Sequence, residues 1–205
     1  MLHLQSKIYK KGARIKLLKT LVKYLLILLL ITIVVGLLLP QSYSVNKQVK
    51  IDADPLIIKS LLSDFNQWSK WSPWQKVDPS IKFIVNEPSA GIGAHQSWQS
   101  KWGYGEMTIT SLTDKKMTFN ILLNGEHIIY GTVKQVINAD AVIVKCHVEG
   151  QATTMLVSGY MALIYDYVLG NTVTLGLNNL KTVAQLSDLQ PPAKSHDSQI
   201  STSTH

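Results

Sequence analysis

The pattern of apolar and polar positions begins with a long aliphatic segment. Residues 24–39 are almost purely apolar, and Pro40 closes the segment. Counted back to Leu21, the segment has 19 residues, which span about 28 Å as an α-helix, close to the thickness of a bilayer's hydrocarbon core. The pattern therefore predicts one transmembrane anchor over residues 21–39.

A cleaved secretory signal is the competing interpretation of this segment. Such signals have an apolar region of about 7 to 15 residues that ends in small residues. Here Leu37, Leu38 and Leu39 extend the apolar region, and Ser42 and Ser44 make a poor cleavage site. We therefore expect an anchor that is retained.

After Pro40 the apolar positions follow first a strand period and then a helix period. Alternation predicts these strands: 43–51, 81–86, 94–101, 104–112, 117–123, 128–137 and 142–148. Asp54 and Pro55 predict the start of a short helix between the first two strands, with Asp54 as its N-cap. Apolar positions spaced by three and four predict one long amphipathic helix over 159–186. This order predicts an α+β fold in which an antiparallel sheet packs against the last helix.

The distribution of charge predicts which side of the membrane the domain occupies. Seven of the 20 Lys and Arg residues lie within the first 23 positions, where there is no carboxylate. Basic residues next to a first spanning helix favour the cytoplasmic side. Residues 1–20 are therefore expected in the cytoplasm, and the domain at 41–189 on the periplasmic or extracytoplasmic face of the inner membrane. The tail, 190–205, is polar and is predicted to be disordered.

The charge of the domain itself argues against one class of partner. The 13 basic residues after Pro40 are matched by 13 acidic ones. A nucleic-acid-binding domain needs a basic face, so we expect no nucleic acid partner. The sequence does not indicate which protein partner, if any, the domain has.

Several short motifs carry a family resemblance when they are taken with the order of elements. They are Trp-Ser-Lys-Trp-Ser-Pro-Trp at 68–74, Gly-Ile-Gly-Ala at 91–94 followed by Trp98, Gly-Tyr-Gly-Glu-Met at 103–107, and Gly-Leu-Asn-Asn-Leu-Lys at 176–181. The chain resembles the SRPBCC or START-like superfamily and, more narrowly, the bacterial membrane-anchored proteins called polyketide cyclase-like. The resemblance implies a helix-grip fold, in which the sheet wraps around the long C-terminal helix and leaves a hydrophobic cavity. It assigns no activity, because the superfamily includes both lipid-transfer domains and cyclases.

Large side chains on the predicted inner surfaces are the candidates for lining such a cavity. The candidate ligand-binding residues are Trp71, Trp74, Trp98, Met107, Phe119, Tyr160, Ile164 and Tyr167. For the tryptophans of 68–74 the favoured interpretation is a hydrophobic plug, because tryptophan buries a large area. Met107 and Phe119 would fill the interior if no ligand entered it. Ordinary helix packing is an equal alternative for the tyrosines.

The sequence contains no motif for metal, cofactor or nucleophilic chemistry. It lacks the spacings of zinc ligands, a Gly-x-Ser-x-Gly elbow and a phosphate-binding loop, and Gly91-Ile-Gly93 lacks the third glycine of a dinucleotide site. Cys146 is the only cysteine, and its phase among valines predicts a buried thiol rather than a nucleophile. Glu106 is expected to face solvent. We therefore expect no metal, no cofactor and no catalytic residue.

Three hypotheses about function are open at this point. The favoured one is a membrane-anchored domain that binds a hydrophobic small molecule or lipid. The second is an enzyme of the cyclase or aromatase type, which the resemblance alone suggests. The third is a protein-interaction module whose interior is filled.

Overall fold

A computed structural model describes residues 2–154 and 156–189, with side chains from residue 16 onward. The predicted tail at 190–205 lies outside these residues. The helices are α1 (Leu2–Leu38), α2 (Pro55–Ser63), α3 (Phe65–Trp68), α4 (Trp74–Val77) and α5 (Ser158–Leu189). The strands are β1 (Ser42–Ile51), β2 (Lys82–Val85), β3 (His95–Ser100), β4 (Gly103–Leu112), β5 (Lys116–Leu123), β6 (His127–Ile137) and β7 (Val142–Gln151).

The strands form one antiparallel sheet in the order β1-β7-β6-β5-β4-β3-β2. Strands β2 to β7 follow one another as a meander, and β1 pairs with β7 at the other edge. A bulge between Ile109 and Ser111 shifts the register of β4 against β5, and bulges of this kind increase the local bend of a strand. The long helix α5 packs against the inner face of this sheet, with most of its contacts to β1. The predicted helix-grip fold is therefore confirmed.

Two aspartates set the positions of the short helices beside the sheet. The Leu56 backbone N–H donates to the Asp54 carboxylate at 2.7 Å, with Pro55 as the first residue of α2. Asp64 ends α2 and accepts the Asn66 backbone N–H at 2.9 Å, which caps α3. Such caps satisfy backbone donors that have no partner within the helix. The predicted N-cap at Asp54 is confirmed.

Three glycines on the inner face of the sheet each lie beneath an aromatic ring. Each glycine is the cross-strand partner of its aromatic residue. The pairs are Trp98 over Gly105, Phe119 over Gly131 and Tyr43 over Gly150. A Cβ at position 105 would lie 2.5 Å from the Trp98 ring, and a Cβ at position 131 would overlap the Phe119 ring. The rings therefore lie flat on the sheet only because these positions lack side chains.

We predict that Gly131→Ala destabilises the protein by about 1 to 3 kcal/mol, because the Phe119 ring must leave its position in a packed interior. The matched control is Gly170→Ala in α5, where the nearest neighbour of a new Cβ is the Lys47 side chain at 3.6 Å. Alanine is the better helix former, so the control is expected to keep or slightly raise stability. Urea unfolding of the full chain in detergent micelles, followed by tryptophan fluorescence, measures both. Equal unfolding midpoints for the two variants would contradict the prediction.

Candidate functional site

An apolar cavity of about 100 Å³ lies between the inner face of the sheet and the middle of α5. Its walls come from β4 to β7 on one side, α5 on the other, and the segment around α3 and α4 at one end. The lining residues are Leu62, Trp68, Trp71, Pro73, Trp74, Met107, Met117, Phe119, Ile121, Val133, Cys146, Val148, Leu169, Thr172, Val173, Gly176 and Leu177. None of these residues carries a charge.

Several polar atoms of the lining already have protein partners. The Trp71 indole N–H donates to the Leu61 carbonyl at 2.9 Å, and the Trp68 indole N–H donates to the Leu62 carbonyl at 3.0 Å. The Thr172 hydroxyl donates to the carbonyl four residues earlier in α5, at 2.8 Å. These groups turn their polar ends toward the backbone and their carbon atoms toward the space. A bound molecule would therefore meet a surface that is almost entirely apolar.

The Cys146 thiol in the lining is a poor nucleophile. Its side chain is buried, and this burial raises the pKa of the thiol to about 12. Because the thiolate is the reactive form of cysteine, the group stays protonated and unreactive at neutral pH. It contributes to the wall as a small hydrophobic side chain, as its phase in β7 predicts.

The tryptophan-rich segment both lines the cavity and closes one end of the domain. The rings of Phe65, Trp68 and Trp71 pack in sequence, the first pair edge to face and the second tilted, with ring centroids 5.1 Å and 4.7 Å apart. The Asn179 side-chain amide donates to the Trp71 carbonyl at 3.0 Å and ties this segment to α5. The same cluster of aromatic side chains therefore closes the end of the domain and also lines the cavity.

Gly176 allows this segment to approach α5 closely. A Cβ at position 176 would lie 3.2 Å from Pro73 Cδ and 3.8 Å from the Trp71 ring. Because contacts of a Cβ atom are rarely this short, a larger residue at position 176 would push the tryptophan-rich segment away from α5. Pro73 and the half-buried Trp74 form the side of the cavity that this contact holds in place.

Four of the eight candidate residues lie in the lining, and four do not. Trp71, Trp74, Met107 and Phe119 line the cavity. The four residues that the structure places elsewhere are Trp98, Tyr160, Ile164 and Tyr167.

Trp98 faces inward, as expected for an indole, but it lies nearer the end of the sheet. Its ring covers Gly105 and packs against Phe83, with centroids 5.9 Å apart.

The three candidates on α5 lie outside this cavity, because the beginning of the helix extends past it. Tyr160 contacts Gly36 of α1 instead. Ile164 and Tyr167 are 51% and 73% exposed, on the side of α5 that faces away from the sheet. The tyrosines are candidates for their phenol groups, and Ile164 belongs to the apolar period of the helix. None of these features indicates how far along the helix the sheet extends.

The cavity wall on α5 is formed by residues that were not among the candidates. They are Leu169, Thr172, Val173, Gly176 and Leu177. Their signal in the sequence is the spacing of three and four that connects Val173, Leu177 and Leu180. In this part of α5 the spacing marks the buried face, and Leu180 is fully buried. The same spacing earlier in the helix connects Ile164 and Val168, which are 51% and 43% exposed.

A polar cluster lies on the same inner face, outside the lining. The Tyr43 hydroxyl and His127 Nε2 form a hydrogen bond of 3.2 Å, and the Tyr165 ring lies 5.4 Å from each of the other two rings. Burial raises the pKa of Tyr43 to about 12, helped by the nearby Tyr165. Burial also lowers the pKa of His127. The pair is therefore uncharged at neutral pH, which suits a structural hydrogen bond.

We predict that Tyr43 makes stability sensitive to alkaline pH. Its proton is held more tightly in the folded state, so the unfolded chain loses it first above the ordinary value of 10.0. The Tyr43 contribution is therefore full below that pH and is lost as the pH rises toward about 12. Tyr43→Phe lacks the hydrogen bond to His127 and should be about 1 kcal/mol less stable at neutral pH. Urea unfolding at about pH 8 and about pH 11 should show this deficit shrinking, whereas a constant deficit would contradict the assignment.

Two larger depressions of the surface have linings that include polar or charged side chains. One of about 590 Å³ lies on the sheet and includes Lys116, Lys134 and Lys145. The other, of about 280 Å³, lies between α3 and the edge of the sheet and includes Gln96 and Ser72. Neither has the predominantly apolar wall that is usual for a small-molecule site.

The part of the chain that the structure describes contains no group of three or more His, Cys, Asp or Glu side chains that could hold a metal ion. Glu106 is exposed on the outer face, with its carboxylate 3.7 Å from His95 Nε2. It therefore lies at the surface, as its phase in β4 predicts.

Comparison with known proteins establishes the fold. The structure is similar to protein CV1439 from Chromobacterium violaceum, with a TM-score of 0.54 and 11% identity over 70% of this chain and 98% of that one. It is also similar to the KanY protein, with a TM-score of 0.55 and 16% identity over 70% of this chain and 98% of that one. Norcoclaurine synthase from Thalictrum flavum has a TM-score of 0.52 and 10% identity, over 71% and 87% of the two chains.

No family model matches the chain, and no curated protein matches it. At the identities of the solved structures, the shared property is the helix-grip fold of the cyclase and norcoclaurine synthase type. The resemblance seen in the sequence therefore holds at the level of fold, and function has to be argued from the cavity.

Proposed function

We propose that the protein is a membrane-anchored binding domain for a hydrophobic small molecule or for the apolar part of a lipid. The observation that carries the proposal is the apolar cavity between the sheet and α5, whose indole and hydroxyl donors at Trp68, Trp71 and Thr172 bond to backbone carbonyls. A polar ligand would lose its hydrogen bonds to water in such a space without replacement, at a cost of about 1 to 3 kcal/mol for each group. An apolar ligand pays no such cost.

The size of the cavity limits what it holds without rearrangement. Its volume of about 100 Å³ is smaller than the roughly 300 to 1,000 Å³ of typical ligand sites. Met107 and Met117 form part of the wall, and methionine changes rotamer easily because its side chain is unbranched. We therefore expect a short apolar group to fit directly, and a longer one to enter when these side chains move.

The fold supports this assignment because it accommodates ligands in other proteins. The norcoclaurine synthase from Thalictrum flavum was solved in complex with dopamine and hydroxybenzaldehyde. That enzyme binds small aromatic molecules, and we transfer to this chain only the idea of a ligand-holding interior. Catalysis is not part of the proposal, since the described lining carries no charged group and the thiol at Cys146 is protonated.

We further propose that α1 anchors the domain in the inner membrane. Within Lys16–Leu38 the most apolar 18-residue stretch has a mean hydropathy of 2.8, and only 6% of that stretch is buried inside the protein. An apolar helix that the rest of the chain does not cover requires another apolar environment. The seven basic residues at the N-terminus favour a cytoplasmic start and an extracytoplasmic domain.

We predict that filling the cavity abolishes ligand binding. Val173→Phe adds volume inside the lining, and Leu175→Phe is the matched control, because Leu175 lies two residues away in α5 and is 38% exposed. Native mass spectrometry of the full chain, released from membranes in a mild detergent, should show an added apolar mass on the wild type and on the control but not on Val173→Phe. The same mass on all three proteins, or no added mass on the wild type, would contradict the proposal.

We predict that protease added to cells with a permeabilised outer envelope digests the domain while the cytoplasmic membrane is intact. An antibody tag placed after the last residue reports the loss, and a cytoplasmic protein serves as the control for membrane integrity. A domain that is digested only after the cytoplasmic membrane is broken would reverse the proposed orientation.

A further inference from the structure

The first half of α5 exposes an apolar stripe on the side opposite the sheet. Its members are Tyr160, Leu163, Ile164, Tyr167 and Val168, which share one helix face by their spacing of three and four. Leu163 is 55% exposed and Tyr167 is 73% exposed. Asp166 is the only charged residue between positions 158 and 180. A helix face of this composition is unusual in contact with water.

The same part of α5 is packed against the last turns of α1. Gly36 and Gly159 meet at the contact, where a Cβ on Gly159 would lie 2.5 Å from the Gly36 carbonyl oxygen. A Cβ on Gly36 would in turn lie 2.6 Å from the Tyr160 ring. The Tyr160 hydroxyl donates to the Thr32 carbonyl of α1 at 2.9 Å. The beginning of α5 therefore has a fixed position relative to the apolar helix.

The depth of this contact along α1 follows from helix geometry. Thr32 precedes Leu38, the last residue of α1, by six positions, which is about 9 Å at 1.5 Å per residue. If α1 crosses a bilayer, the Tyr160 hydroxyl reaches below the outer end of the crossing segment. The neighbouring turns of α5 are then too close to the lipid to lie free in water.

We propose that the stripe on α5, together with Leu156 and Val157 before it, lies in the outer interfacial layer of the bilayer. The domain would then touch the membrane through two elements, α1 and the beginning of α5. This inference rests on the membrane anchor proposed above and adds a docking surface to it.

The composition of the stripe suits an interfacial position. Tyrosine is enriched at the boundary between headgroups and acyl chains, and aliphatic side chains lie just below it. Beyond position 170 the same helix face turns polar, with Asn171, Thr174 and Asn178. This face of α5 is thus apolar close to α1 and polar farther from it, as expected if only the part close to α1 contacts lipid.

A bilayer explains this surface better than a second copy of the chain does. The stripe is continuous with α1, whose own side chains need a lipid environment. The apolar part of one bilayer would therefore cover both elements. A dimer would cover the stripe but would leave the depth of the Tyr160 contact unexplained.

The arrangement gives the cavity a position close to the lipid. Val168 belongs to the stripe, and Leu169, the next residue, lines the cavity. Only the width of α5 therefore separates the proposed membrane surface from the cavity wall. An apolar molecule that leaves the bilayer would meet apolar surface on both sides of this helix.

The test places an environment-sensitive fluorophore on the full chain in vesicles of phosphatidylethanolamine and phosphatidylglycerol. Ile164→Cys and Tyr167→Cys put the label on the stripe. Leu186→Cys is the matched control, because Leu186 is 58% exposed on the same helix and lies 22 positions, or about 33 Å, beyond Ile164. Leu30→Cys in α1 reports the anchor. The native Cys146 is buried and stays unlabelled.

Lipids with a quencher on the acyl chain should quench the labels at positions 30, 164 and 167, and leave the label at position 186 bright. A label at 164 that behaves like the one at 186 while position 30 is quenched would overturn this inference and leave the anchor intact. No quenching at position 30 would overturn the anchor itself and the inference with it. Energy transfer between labelled copies at 164, without quenching by lipid, would show that a second copy covers the stripe and would also overturn the inference.

Discussion

The packing of α5 against the concave face of the sheet is the contact on which the rest of the structure depends. One helix contacts α1 at its beginning, β1 and the sheet along its length, the tryptophan-rich segment at Asn179, and α2 toward its end. The face of α5 that packs on the sheet closes the core and also forms one wall of the cavity. A change in the position of α5 would therefore alter the core, the cavity and the relation of the domain to α1 together.

Small residues determine how close these contacts are. On the sheet, Gly105, Gly131 and Gly150 let aromatic rings lie flat on neighbouring strands. On the helices, Gly176 admits Pro73, while Gly159 and Gly36 let α5 meet α1. Most other inner positions carry bulky apolar side chains, so the remaining space is small and apolar. The same residues that make the domain compact thus restrict the chemical class of molecule that it can hold.

Much of the fold could be predicted because it follows from local periodicity. Alternation identified all seven strands, and a single N-cap at Asp54 identified the start of α2. The residues that line the cavity were predicted less well. The part of α5 that forms the cavity wall depends on how far the sheet extends along the helix, and the local sequence pattern does not show this. Tyr160 and Tyr167 resemble ligand-binding residues in composition, yet they lie on the part of the helix beyond the cavity. The apolar period at Val173 and Leu177 marks the cavity wall, whereas the same period at Ile164 and Val168 lies on an exposed face. Periodicity alone therefore does not locate the wall along α5.

The central claim is that the domain contains an apolar space, between the sheet and α5, that can hold an apolar guest. Xenon tests it most directly, because it occupies small apolar cavities and requires no knowledge of the natural ligand. Of the chain's five methionines, Met107 and Met117 line the cavity, whereas Met161 does not. Methyl NMR of the full chain under xenon pressure should show saturable shifts at Met107 and Met117 and weaker, non-saturating ones at Met161. Equal non-saturating changes at all three methyl groups would contradict the account.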